Sequence, residues 1–113
     1  MKIQKINVAE NFSRYPAGRK RSDGPFSGEE FREHILLPAL EHSDFVEVTL
    51  DGVIGYGSSF LEEAFGGAIR RLNIPPESFL KRMSLESKDP SLVNEIEEYI
   101  KSADQNTADD GHV

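Results

Sequence analysis

FVEVTLDGVIGYGSSFLEEAFGG, residues 45–67, is the stretch whose pattern decides the architecture. Val46, Val48 and Leu50 alternate with Glu47, Thr49 and Asp51, the period-two signature of a strand with one buried side. Leu61, Ala64, Phe65, Ala68, Ile69 and Leu72 then recur every three or four residues, which is the stripe of an amphipathic helix. Gly55-Tyr56-Gly57-Ser58-Ser59 joins the two. Ser59 stands three residues before Glu62, a spacing in which serine and glutamate cap a helix reciprocally, so the helix is expected to start at Ser59 or Phe60. Gly66 and Gly67 sit inside the helical run at about 1 kcal/mol each relative to alanine, a penalty that close packing against this segment would justify.

The flanking segments repeat the alternation of strand and helix. MKIQKINVA reads as a first strand around Ile3, Ile6 and Val8, continuing into a turn or second extended piece up to Tyr15. Residues 16–26 are broken by Pro16, Gly18, Gly24 and Pro25 into a loop that carries the basic run Arg19, Lys20 and Arg21. Ser27 and Glu30 again give a capping pair, and Phe31, Ile35, Leu36 and Leu40 continue a helix to about His42. Pro38 is expected to kink that helix or end it early. Phe79, Lys81, Met83 and Leu85 alternate as a third strand, with a short helix as the competing reading. Asp89 as cap and Pro90 as first helical residue start a last helix to Ser102, with Leu92, Val93, Ile96, Tyr99 and Ile100 as its apolar side. Residues 103–113 are small, polar and acidic, and are expected to be disordered. Strand and helix in turn imply one α/β domain over residues 1–102 with a mostly parallel sheet.

Composition narrows the chemistry. A net charge of −7 argues against charge-driven binding of nucleic acid or an anionic membrane. No cysteine is present, so disulfides, thiol catalysis and cysteine-ligated metals are excluded. His34, His42 and His112 are too scattered for a metal-binding motif. With no long apolar run and no apolar leader at the start, the expectation is a soluble cytoplasmic protein.

The turn at 55–59 lies where an open α/β sheet gathers ligands, outside the carboxyl end of a strand and at a helix start. As a nucleophile elbow it lacks the second glycine, and no histidine is recognisable as its base. As a phosphate loop it lacks the lysine. An enzyme is therefore not expected, and no cofactor is implied. Glu62 and Glu63, adjacent on a helix, diverge by about 100° and make a poor acid–base pair. Tyr56 is the expected contact residue of the turn, whereas Phe60 and Phe65 belong to the core. Arg19 has two readings. It pairs with Glu62 or Glu63, or, with Lys20 and Arg21, it faces an anion at the Ser58 turn or a partner's acidic surface.

VTLDGVIGYGSSFLEEAFGGAI resembles the central element of the STAS fold of anti-sigma-factor antagonists. With PAGR, SGEEFREHILLPAL and DPSLVNEIEEYI it is similar to the small STAS-like domains of unknown function. The resemblance implies a small α/β sandwich with a parallel or mixed sheet of three to five strands and about three main helices. It also implies a regulatory protein-interaction module in signalling, acting on a partner such as a GHKL-type ATPase or kinase-like protein. Ser58 falls at the antagonists' phosphoserine and Ser59 at the serine that follows. Gly57 replaces their aspartate and Phe60 their glycine, which leaves a phosphate-free role open. The contact set is then Tyr56, Gly57, Ser58, Ser59 and Glu62. The alternative is a small anionic ligand or nucleotide held by the N–H groups of the turn, with Arg19 as counter-charge.

Overall fold

The computed structural model describes the backbone of residues 1–110 and the side chains as far as residue 103. Strand β1 (Ile3–Asn7) passes directly into a one-turn helix α1 (Val8–Asn11), so Val8 ends the strand instead of extending it. Asn7 makes the switch by accepting the Glu10 N–H on its side chain. Helix α2 spans residues 28–42, capped by Ser27, whose Oγ accepts the Glu30 N–H as its spacing predicts. Strand β2 (Phe45–Thr49) and helix α3 (residues 58–72) follow. Helix α4 (Pro76–Leu80), strand β3 (Met83–Glu86) and helix α5 (Pro90–Asp110) complete the order.

The three strands run parallel in the order β1-β2-β3. Right-handed crossovers in that order place the connecting helices on one face of the sheet. Burial follows: Ile6, Val46, Val48 and Met83 are sealed on that face, whereas Lys5 and Glu86 on the other are exposed. The core between the layers is aromatic, with Phe31, Phe60, Phe65 and Phe79 fully buried and Phe12 edge-on to Phe31 at 5.3 Å.

Three boundaries differ from the expectation. Gly57, not Ser59, is the cap of α3, which starts at Ser58, and Ser59 lies inside the first turn. The Glu62 carboxylate is bound instead by Arg19 at 2.5 Å and Arg70 at 2.7 Å. Residues 76–86 divide into α4 and a short β3, so the alternation from Phe79 begins in a helix whose Phe79 is buried in the core. Helix α5 runs on to Asp110 and buries Ala103, past the expected end at Ser102, and residues 111–113 of the expected tail lie outside the described residues. Among the described residues α2, α3 and α5 are the three main helices expected, and the short α1 and α4 are added to them.

Helices α2 and α3 each contain one wide π turn, at Arg32–Leu36 and Glu62–Gly66. In α2 the cause is Pro38, which has no N–H and crowds the preceding turn, so the helix widens and continues to His42 without ending. In α3 the Gly67 N–H reaches back to the Glu62 carbonyl, which leaves the Glu63 carbonyl without its usual helical donor. Arg32 Nη1 supplies the missing hydrogen bond at 2.9 Å and binds the Glu63 carboxylate at 2.6 Å. Gly67 is required here, because a Cβ would collide with Arg32 Nη1. One at Gly66 would lie 2.6 Å from the Glu62 carboxylate and 3.3 Å from the Tyr99 carbonyl of α5. The two mid-helix glycines are thus explained by close approach.

The same carboxylates hold the basic loop. Arg19 binds Glu62 and, at 3.2 Å, Glu63, and Lys20 reaches Glu63 at 3.3 Å. The loop backbone gives the Gly18 and Arg19 carbonyls to the first N–H groups of α2, at 2.9 and 3.0 Å. Arg21 turns to Glu30 at 2.9 Å.

Two stability measurements test this packing. Gly28 lies where α2 crosses α3, and a Cβ there would meet the Phe60 carbonyl at 2.6 Å, a backbone atom that cannot swing aside. Gly28→Ala should therefore destabilise by roughly 1–3 kcal/mol in urea unfolding, although alanine is the better helix former. Burial pushes the carboxyls of Glu62 and Glu63 up. Hydrogen bonds outweigh it and hold both below the ordinary carboxylate value, from Arg70 and Arg19 on Glu62 and from Arg32, Arg19 and Lys20 on Glu63. A depressed folded value gives stability that is fully present above the unfolded value and is lost as pH falls through the folded one. Stability should thus drop below about pH 4.3, and Glu63→Gln should lower it by about 3 kcal/mol at neutral pH while flattening that acid limb.

Candidate functional site

Parallel strands end on a common edge, and the chain after β2 and β3 forms a cleft there. It is lined by residues 50–56, by Ser87, Asp89 and Ser91, and by Leu92 and Glu95 of α5, and encloses about 380 Å³. The turn after β2 is pinned from three directions. Asp51 accepts the Ser87 hydroxyl at 3.0 Å and the Lys88 N–H at 3.2 Å, which ties it to the loop before α5. The Ile54 N–H donates to the Arg14 carbonyl at 3.0 Å. Tyr56 donates its hydroxyl to the Leu50 carbonyl at 2.8 Å and lays its ring near Phe60, with centroids 6.1 Å apart. Burial, with the charge of Asp51, pushes the Tyr56 phenol far up, so it remains a donor. Gly52, at φ +94°, supplies the left-handed corner of the turn, where a Cβ would lie 3.1 Å from the Ala9 Cβ.

Ile54 stands at the tip of this fixed frame with 76% of its surface exposed. Ser58 and Ser59 are exposed beside it at the start of α3. Ser58 faces the Tyr99 hydroxyl, which donates to Glu95 Oε2 at 2.7 Å. The hydrogen bond to Glu95 raises the Tyr99 phenol, while Ser58 acts in the opposite sense.

The expected site residues separate into two groups. Gly57, Ser58 and Ser59 form the exposed start of α3, with Tyr56 directly before them. Tyr56 is half-buried and holds the turn from inside, so the outward contact position belongs to Ile54, one residue before Gly55. The signal for Ile54 was an apolar residue at the centre of a glycine-framed turn, GVIGYG. Glu62, Arg19 and Lys20 belong to the ion cluster on α3, and Arg21 to a pair with Glu30. For Arg19 the pairing with Glu62 and Glu63 is the reading that holds. Arg32 completes that cluster and carries no motif of its own. The described lining of the cleft includes Asp51, Asp89 and Glu95 and no lysine or arginine. Among the described residues no group of histidines and carboxylates is placed to hold a metal ion, and no helix is long and apolar enough to cross a membrane.

No curated protein and no solved structure matches the chain significantly. The model of one family, described as a STAS-like domain of unknown function (DUF4325), matches residues 27–93. That span runs from the Ser27 cap of α2, through both wide turns and the exposed turn after β2, to the first turn of α5. More than half of the chain is covered, and the chain belongs to this family of STAS-like domains.

Proposed function

We propose that this protein is a non-enzymatic, cytoplasmic regulatory module that docks a partner protein through the turn at 53–59. The observation that carries this reading is Ile54, an aliphatic side chain 76% exposed on a turn whose backbone is fixed by Tyr56, Asp51 and Arg14. A preorganised turn loses little conformational freedom on binding, and an apolar tip with a polar rim suits a protein contact. The likeness to anti-sigma-factor antagonists points to a GHKL-type ATPase or kinase-like protein as the partner class.

Ser58 is the regulatory position in this reading. A phosphate there would add about −1.5 to −2 charge, which the start of α3 accommodates. The same charge would face Glu95 across Tyr99 and change the surface around Ile54. Gly57, where antagonists have aspartate, leaves an unmodified Ser58 compatible with docking.

Affinity purification from the native host with wild type, Ile54→Asp, Ser58→Ala and Ser58→Asp tests both parts. A kinase-like ATPase should be recovered with wild type and Ser58→Ala, and recovery should fall about tenfold with Ile54→Asp and Ser58→Asp, with melting temperatures essentially unchanged. Equal recovery with all four variants would remove the turn as a docking surface. Absence of phosphate on Ser58 by mass spectrometry, combined with unaltered binding of Ser58→Asp, would remove the switch alone.

A further inference from the structure

The exposed turn is one corner of a wider surface. Ile54 gives its N–H to the Arg14 carbonyl, and the next residue, Tyr15, is 67% exposed with its own N–H fixed on Ser13 Oγ at 2.9 Å. The same segment holds Phe26, which is 41% exposed. The Ala17 N–H donates to the Phe26 carbonyl at 2.9 Å, and the Phe12 and Phe26 rings meet edge-on at 5.7 Å. Three of the six large apolar side chains exposed among the described residues thus spring from one hydrogen-bonded platform. Apolar side chains grouped in this way, unlike scattered ones, mark a contact surface.

Beside Ile54 the cleft supplies charge of one sign. Leu50, Val53 and Leu92 give it an apolar wall, and Asp51, Asp89 and Glu95 bring three carboxylates to it. Carboxylates on α2 and α3 are matched, since Glu30, Glu33, Glu62 and Glu63 each bind an arginine. Those of the cleft are not. Their partners among the described residues are neutral: the Ser87 hydroxyl and Lys88 N–H on Asp51, Ser91 on Asp89, and the Tyr99 hydroxyl on Glu95 Oε2. Lys88 contributes its backbone alone, and neither its ammonium nor the Arg14 guanidinium pairs with a described carboxylate. The cleft therefore keeps three uncompensated negative charges next to an exposed apolar ridge.

We infer that the partner protein presents a basic segment here, seating a lysine or arginine in the cleft and packing a neighbouring apolar residue on Ile54 and Tyr15. This rests on the docking reading of the turn and names the chemistry of what docks. A long basic side chain lays its methylene stem on an apolar wall and presents its charged head to carboxylates, which is the combination the cleft offers. Opposite charges across the contact set its register, while the exposed tyrosine and isoleucine supply apolar area. Ser58 stands outside the cleft lining, so a phosphate there would compete with the cleft for the same basic side chain.

The test is selection of random nonapeptides displayed on phage against the immobilised full-length chain, with the enriched peptides then synthesised and titrated by fluorescence polarisation. Enriched sequences should place lysine or arginine next to a large apolar residue and bind with a dissociation constant on the order of 10 μM. The double variant Asp89→Asn/Glu95→Gln removes two charges but keeps the acceptors for Ser91 and Tyr99, and should weaken binding about tenfold at an unchanged melting temperature. Tyr15→Ser, at an exposed position, should weaken it about tenfold as well. Peptides without a basic residue, or undiminished binding to the double variant, overturn the inference; if Ile54→Asp still abolishes that binding, docking at the turn survives. Peptides that bind Ile54→Asp as well as wild type remove both readings, and an absence of any enrichment overturns the inference.

Discussion

The buried contact between Arg32 and Glu63 is the constraint on which the rest of this structure depends. A carboxylate on the inner side of α3, with its side chain only 6% exposed, is tolerable only with cations and donors around it. Arg32 supplies both, joining the carboxylate and the carbonyl freed by the wide turn of α3. Its guanidinium needs the space above Gly67, which excludes any side chain there. Arg19 and Lys20 complete the neutralisation and thereby draw the loop before α2 onto α3. A loop rich in glycine and proline becomes ordered because buried charge requires its side chains.

That interaction also explains which features were legible in the sequence. Elements defined by their own neighbours were: the alternation of β2, the Ser27–Glu30 cap of α2, and Asp89, whose side chain accepts the Ser91 N–H at 3.0 Å. The Ser59–Glu62 pair has the same spacing as Ser27–Glu30 and does not cap. The helix starts one residue earlier, at Ser58 with Gly57 as its cap, and Arg19 and Arg70 hold the Glu62 carboxylate, so the spacing alone does not place a cap. The wide turns escape a periodicity argument, because one extra residue per turn blurs into the scatter of a 3.6-residue repeat. Pro38 signalled a disturbance of α2 but not that the helix would survive it.

The candidate site was half legible for a related reason. Its location followed from topology, since the end of a parallel strand before a helix is where such sheets expose backbone. The roles within it did not. Tyr56 and Ile54 are two residues apart on an irregular turn, and only the hydrogen bond from Tyr56 to Leu50 decides that the tyrosine turns in and the isoleucine out. Helix α3 thus carries the exposed turn at its start and the charge cluster along its middle.

The most direct test of the account is a double-mutant cycle on the central pair, with Arg32→Met, Glu63→Leu and the double variant compared by urea unfolding at neutral pH. Each single variant removes the closest partner of a buried charge and is predicted to lose roughly 3 kcal/mol, whereas the double variant removes both charges and should lose much less than the sum. Additive losses, with the double variant as unstable as the two singles combined, would contradict the claim that these two side chains depend on each other.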